Sequence, residues 1–481
     1  MKTPVKITPD SAQRFINQLV QVDLPQDAAP QIVVAEILEN IRAQGIEPGE
    51  PVMVAMPNSV QFVAVVFALL AHGAVPVLLP SSAPPSRIQR IGQVIGANVL
   101  IALHIASGLA QTQPTRPLTQ AAKLAVLGQV KARRYRPGEI ILLTSGTSGI
   151  FSGCLFTIDA LFLNASYHAQ AVEQTPADRV LINLPMYYSY AFVAQLLSTF
   201  ALGNRAIIAG PPFTPRNYEQ TIETYQITQS SLTPMMIDAW LQSGSERLPA
   251  PLRRLTIGGD AINPGAVENM LARNPGIELY LTYGLTQAGP RVATLAAHRE
   301  PPDKYASVGL PFPEVKTYLR KEHPDDAAGE LIVETGSGMI RRINGRDDEA
   351  DTALNGVRRV ICTGDRFIID DDGYLFFQHR NPTYVMSRGE KVCLKSVCEI
   401  AETIAGISRA EAWVHQNNGD SGEVAFTLDV YCHDGSLTEG DIRRQLGKVL
   451  LRSELPKNLE IHPASDIGWR KTASAANAVT K

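Results

Sequence analysis

Short apolar runs alternate with helix-patterned stretches along the first three hundred residues, and this alternation restricts the fold more than any other feature of the chain. Residues 30–44 (PQIVVAEILENIRAQ) carry apolar side chains at helical spacing, and after Gly45 and the Pro48-Gly49 turn a strand is predicted over Pro51 to Met56. Pro57-Asn58-Ser59 leads into a helix ending at Gly73, while Val75 to Leu79 and Val99 to Ala102 read as buried strands. The pattern continues at Ile182–Leu184, Arg205–Ala209, Arg254–Ile257 and Glu278–Leu281. Strands buried on both faces and separated by helices call for mostly parallel sheets covered by those helices. The expected class is therefore α/β, with a large N-terminal body. The most membrane-like run, Phe62 to Pro80, is interrupted by His72, Gly73 and Pro76, so it reads as a helix and a strand and no membrane span is expected.

From about residue 305 the pattern becomes β-rich. Gly329–Val333 reads as a strand, and Asp372-Gly373 within the alternating run Asp371–Phe377 signals a hairpin. The last hundred residues form a small α+β domain, with helices near Ser396–Ile404 and Glu439–Leu451 and a strand near Val424–Tyr431. A polar segment, Asn381-Pro382-Thr383, marks the boundary, dividing the chain into an N-terminal domain 1–381 with a β-rich subdomain and a C-terminal domain 382–481.

Composition narrows the function. The 481 residues are 45% hydrophobic and 19% charged, as expected of a folded enzyme. Lys and Arg total 44 against 47 acids, a net charge of −3, which leaves no electrostatic footprint for nucleic acid or an anionic membrane. Five cysteines at irregular spacing make no disulfide framework, and Cys393 and Cys398 lack the spacing of a zinc site. Reduced thiols and a start (MKTPVKITPDSAQRF) without an apolar signal core point to a soluble, cytoplasmic protein.

The chemistry centres on Ile140–Gly153 (IILLTSGTSGIFSG), where an apolar strand runs into six residues made only of Thr, Ser and Gly. Small residues let backbone N–H groups and hydroxyls close around an anion such as a triphosphate. No Lys-Ser/Thr follows, so this is not the G-x-x-x-x-G-K-[ST] loop, and there is no G-x-G-x-x-G. Downstream stand Gly258-Gly259-Asp260-Ala261, Tyr283-Gly284-Leu285-Thr286-Gln287, Ser307-Val308-Gly309-Leu310-Pro311, Thr363-Gly364-Asp365 and Asp372-Gly373-Tyr374-Leu375. In this order and spacing, from about residue 30 to 478, the chain resembles the acyl-adenylate-forming superfamily: acyl-CoA synthetases, nonribosomal peptide synthetase adenylation domains and luciferases.

The resemblance implies a reaction. A carboxylate attacks the α-phosphorus of ATP, with Mg²⁺ as cofactor, expelling pyrophosphate and leaving an acyl-AMP; catalysis is mainly positioning and charge stabilisation. Carried across, Thr144, Ser145, Gly146, Thr147, Ser148 and Gly149 would clasp the outer phosphates. Tyr283, followed by Gly284, would lie against the adenine, with Gly259, Asp260 and Ala261 at its edge. Thr286 would reach the α-phosphate, Asp365 would accept hydrogen bonds from the ribose hydroxyls, and Arg380 would contact ribose or phosphate.

Four departures from the family pattern stand out. Phe151-Ser152-Gly153 replaces Pro-Lys-Gly after the phosphate loop, and Gln287 replaces the Glu that helps hold Mg²⁺, so no metal ligand is assigned within the protein. Pro382 sits at the pivot about which family members rotate the small, mobile C-terminal domain. The C-terminal motif reads Arg470-Lys471-Thr472-Ala473-Ser474-Ala475-Ala476, placing Ala476 where the family has its catalytic Lys. Engineered inactivation, natural loss and replacement by Lys471 all fit, and the Ala-Ala pair favours the first.

Amino-acid-activating relatives place an Asp before the substrate helix, whereas Leu184–Phe192 (LPMYYSYAF) contains no acid, so a non-amino acid is expected. Tyr188, Phe192, Gly258, Leu285 and Ala288 would line a largely apolar or aromatic pocket for a hydrophobic, cyclic or aryl carboxylic acid. The acceptor implied is a thiol, of CoA or of a carrier protein in trans, which Gly389 would accommodate; the alternatives are an amine, giving an amide ligase, and a homologue that binds without catalysing.

Overall fold

The computed structural model describes residues 5–22, 31–106, 108–109, 115–128, 130, 133–144, 152–210, 212–321, 323–343, 353–355, 358–380, 384–387, 390–414, 426–432 and 437–463. Chain contacts separate two units: one holds Met1–Ser81, Gly92–Thr144 and Gly153–Arg380, the other Ser82–Ile91, Ser145–Ser152 and Asn381–Lys481.

In the larger unit the most apolar stretch becomes the helix Val60–His72. Ser59 caps it by accepting from the Phe62 N–H at 3.0 Å, and Gly73 ends it at φ 89°, a left-handed conformation that glycine adopts without steric strain. Because the helix is apolar on nearly all sides, it is buried on nearly all sides: Phe62 to Leu69 are each at most 1% exposed. It belongs to a cluster holding side chains from both large sheets, including Val52, Val54, Ile101 and Leu142 of one and Ile182, Ala206 and Ile208 of the other.

The first large sheet runs, in spatial order, Arg341–Ile343, Ser152–Thr157, Glu139–Thr144, Val75–Leu78, Pro51–Ala55, Val99–Ala102, Lys123–Val126 and Arg116–Pro117. The second runs Leu19–Gln21, Arg205–Ile208, Arg179–Ile182, Gln229–Leu232, Arg254–Gly258, Glu278–Gly284, Arg291–Ala296 and Leu310–Pro311. Their centres are parallel, with antiparallel pairs toward the margins, as at Lys123–Val126 and Arg291–Ala296, while the edge strand Leu19–Gln21 pairs parallel. The helices Pro215–Tyr225, Pro234–Gln242 and Pro264–Arg273 contribute to a second core on the second sheet, with Trp240 fully buried. An antiparallel sheet of Lys316–Arg320, Ala328–Thr335, Arg358–Ile369, Ala353–Asn355 and Leu375–Arg380 supplies the β-rich part.

The smaller unit contains a hairpin, Tyr384–Ser387 with Glu390–Cys393, and a three-stranded sheet of Ile407–Val414, Phe426–Cys432 and Asn458–Pro463. Its helices are Leu394–Ala401 and Glu439–Leu446. No disulfide joins any of the five cysteines, and no helix among the described residues is long and apolar enough to cross a membrane.

Several boundaries differ from the sequence expectation, among them the strand Glu278–Gly284, which runs three residues beyond Leu281. The strand read at Ile182–Leu184 lies at Arg179–Ile182, because Asn183 turns its side chain to the Ser231 carbonyl at 3.0 Å and Pro185 follows. The helix read at Glu439–Leu451 stops at Leu446, capped by Gly447. The helix read near Ser396–Ile404 begins earlier, at Leu394, directly after the hairpin strand.

Candidate active site

The strand Glu278–Gly284 carries Tyr283 and Gly284 at its end, turns through the short helix Thr286–Ala288, and returns as Arg291–Ala296. Gly284 is needed for the tightness of this return: a Cβ there would lie 2.2 Å from the Pro290 carbonyl oxygen. The ladder slips between Tyr283 and Gly284, which pair with Ala293 and Arg291, leaving Val292 as the extra residue of a bulge. Bulges beside sites of function re-aim the side chains that follow.

Tyr283 packs edge-on against Phe367, centroids 4.9 Å apart, and its hydroxyl donates to Asp365 Oδ2 at 2.7 Å. Asp365 is 3% exposed on the strand Arg358–Ile369, its N–H held by Thr363 Oγ1 at 3.0 Å. An aromatic ring and a buried carboxylate acceptor thus stand together although 82 residues separate them in sequence. Thr286 is oriented by a second contact, Oγ1 to Ser189 Oγ at 2.9 Å. Ser189 immediately precedes Tyr190–Leu197, a stretch with the wide π-helical turn that is frequent at functional sites.

Gly258 ends the strand Arg254–Gly258, where a Cβ would meet Thr282 Oγ1 at 2.3 Å and Tyr190 Cε1 at 3.2 Å. Only glycine leaves room for the Tyr190 ring, whose hydroxyl bonds Thr256 Oγ1 at 3.0 Å. Gly259 is exposed at φ 102°, followed by exposed Asp260 and Ala261; Asp260 Oδ1 accepts the Ala261 N–H at 2.8 Å. Tyr188 is half-buried with its ring against Tyr187, centroids 4.4 Å apart. Leu285 and Ala288 are buried in the cluster beneath the β-rich sheet, and Phe192 is wholly buried in the main core, so these three are packed side chains. The half-buried Gln287 uses its main-chain carbonyl to accept from the Met339 N–H at 2.9 Å.

Thr144 ends its strand half-buried. Ser145, Gly146, Thr147, Ser148, Gly149, Phe151, Pro382, Gly389, Lys471, Ala475 and Ala476 lie outside the described residues, as does the side chain of Arg380, whose backbone pairs with Asp365.

Three polar residues near this turn escaped the sequence reading: Ser189, Tyr190 and Arg291. Arg291 is 2% exposed, with its guanidinium carbon 4.9 Å from the centre of the Tyr190 ring. Burial pushes its pKa down to about 10, which leaves it a cation at neutral pH. His168, wholly buried, is held well below the usual histidine range by that burial and by the charge of Arg291. An Arg opening a largely apolar strand, Arg291–Ala296, was the available signal.

The Tyr283 ring ends a strand of the second large sheet, and the Asp365 carboxylate stands beside it on the antiparallel sheet. The AMP-binding enzyme family model matches residues 34–342, well over half the chain, and the chain belongs to that family; it is an acyl-adenylate-forming ligase. Among curated relatives, a 2-succinylbenzoate–CoA ligase of Bacillus cytotoxicus is 26% identical over 88% of this chain and 87% of that protein. Among solved structures, a double mutant of o-succinylbenzoate CoA synthetase from Bacillus subtilis superposes with TM-score 0.80, at 18% identity, covering 94% of this chain and 95% of that one. The amide bond synthetase McbA from Marinactinospora thermotolerans gives 0.74 at 18% identity, with the same coverage. These superpositions show that the fold is shared.

Proposed function

We propose that the chain activates a non-amino, aryl or cyclic carboxylic acid with ATP and transfers the acyl group to the thiol of CoA. An oxygen of the acid attacks the α-phosphorus, the bond to the bridging oxygen breaks, and pyrophosphate leaves. The thiolate then attacks the acyl carbonyl and AMP departs. The observation that carries this reading is the Tyr283–Asp365 pair, poised for adenine and ribose, beside Thr286 held by Ser189. The thiol acceptor follows from the relatives named as CoA ligases. An amine acceptor is the second reading, favoured by the likeness to an amide bond synthetase.

Magnesium would bind through the phosphates, since Gln287 offers a neutral amide where a hard cation prefers carboxylate. Residues 1–381 would form the ATP- and acid-binding domain and 382–481 a mobile lid bearing Lys471, with Ala476 at the position of the family's lysine. Five cysteines that form no disulfide suit a reducing cytoplasm.

The test is mass-spectrometric detection of acyl-AMP from ATP, Mg²⁺ and a panel of aryl and cyclic acids, with the given chain beside Ala475→Gly/Ala476→Lys. Restoring one oriented donor is expected to raise adenylate formation about 10²–10³-fold. Adding CoA or an amine then tells the acceptors apart. Absence of adenylate from both proteins, with AMP failing to bind either, refutes the reading.

A further inference from the structure

The strand Asn458–Pro463 forms one edge of the three-stranded sheet of the smaller unit, and it brings three unlike ligand groups together. Parallel pairing sets Asp429 opposite Glu460 and Tyr431 opposite His462. Because side chains alternate along a strand, Asp429, Glu460 and His462 project from the same face. One oxygen of each carboxylate and one imidazole nitrogen all lie within 4.8 Å of one another.

Hydrogen bonding does not account for this spacing. His462 Nε2 is 3.6 Å from Asp429 Oδ1 and 3.7 Å from Glu460 Oε2, too far for a hydrogen bond. That nitrogen is buried and has no hydrogen-bond partner among the described residues. Ligand atoms bound to one tetrahedral zinc at about 2.0–2.1 Å stand roughly 3.3–3.4 Å apart. The observed gaps are slightly wider, a difference that a small side-chain rotation removes. The surroundings hold the group in place. Asp429 is 2% exposed on the central strand Phe426–Cys432, and the Tyr431 ring lies against that of His462, centroids 5.4 Å apart. Glu411, paired with Asp429 from the other side, is engaged by Arg409 at 2.6 Å.

We propose that Asp429, Glu460 and His462 bind a zinc-like divalent cation, at a site that shares no residue with the nucleotide site. The ion clips the edge strand to the central one. One imidazole with two carboxylates suits zinc or cobalt(II), whereas magnesium favours an octahedron of oxygens. The Glu460 side chain is 54% exposed, so water reaches the ion and completes the tetrahedron. Three protein ligands hold an ion less tightly than a closed set of four. The ion therefore exchanges, and the stability of this unit follows the zinc supply.

The full chain, freed of metal by chelation and dialysis, is titrated with Zn²⁺ by calorimetry and with Co²⁺ by visible absorption. One ion per chain is expected, with the intense d–d bands of four-coordinate cobalt. The near-ultraviolet band of thiolate ligation should be absent, which separates this site from the cysteines. Excess Mg²⁺ should not displace the cobalt. Removing a group that merely hydrogen-bonds a metal ligand costs about 10–100-fold in affinity, so His462→Ala and Glu460→Gln should each cost at least as much. Zinc should raise the Tm of the unsubstituted chain and leave that of His462→Ala unchanged. Glu460 lies on the exposed edge, so Glu460→Gln decides the matter even if His462→Ala fails to fold. Failure of the unsubstituted chain to bind either ion overturns the proposal. So does a thiolate spectrum, displacement by Mg²⁺, or an affinity that both substitutions leave unchanged. None of these readouts depends on ligase activity.

Discussion

Asp365→Asn separates a nucleotide-binding carboxylate from a merely structural one. The side chain is 3% exposed and accepts the Tyr283 hydroxyl at 2.7 Å. A vicinal diol presents two hydroxyl donors to a carboxylate, each charge-assisted bond being worth about 1.5–3 kcal/mol. The amide keeps the shape and one acceptor oxygen, so one such bond is lost, which predicts a roughly 10- to 150-fold weaker Kd for AMP. Calorimetry with AMP and 2′-deoxy-AMP reads this directly: the variant should discriminate between the two far less than the unsubstituted chain does. Tyr283→Phe is the companion variant, since it removes the hydroxyl and keeps the ring. It should leave AMP affinity within about threefold, because bound ribose replaces the lost partner of Asp365. An Asp365→Asn protein that melts normally and binds AMP within threefold of the original would refute the assignment of Asp365 to the ribose.

Two further substitutions probe the scaffold. Gly258→Ala places a methyl 2.3 Å from Thr282 Oγ1, so about 1–3 kcal/mol of stability should be lost and, with Tyr190 displaced, KM for the acid should rise more than kcat falls; Tm and steady-state kinetics check both. Asp178→Asn should destabilise by about 3–5 kcal/mol, since it leaves Arg254 in a buried site with one partner fewer. Burial by itself would raise the Asp178 pKa, but the Thr175 N–H, the Thr228 hydroxyl and Arg254 together hold it below the ordinary carboxylate value. Its folded pKa is therefore lower than its unfolded one, of about 3.9. The stabilisation is present above that unfolded value and lost as pH falls through the folded one, so denaturant titrations should show the gap between original and variant narrowing below about pH 4.

Much of this architecture was legible in the linear chain because its causes are local. Apolar runs such as Pro51–Ala55 and Val75–Leu78 specify strands buried on both faces, and Ser59 and Gly73 delimit a helix through cap chemistry acting within a turn. The turn at Thr-Gly-Asp was legible too, since a backbone at positive φ, 71° at Gly364, favours glycine. Boundaries were less so: the strand at Arg179–Ile182 ends where Asn183 finds a carbonyl 48 residues away, a partner that no local pattern announces.

Local chemistry set the alternating α/β plan, because period, caps and turn residues act over a few positions. Tertiary structure alone decided which side chains work together. Folding packed Phe192, Leu285 and Ala288 into the interior, where the sequence suggested a pocket wall, and brought Ser189 to Thr286 across 97 residues. It also set a lone buried cation, Arg291, behind Tyr190. Whether an arginine lies in water or in the interior depends on which surfaces close over it, and that is a property of the assembled sheets.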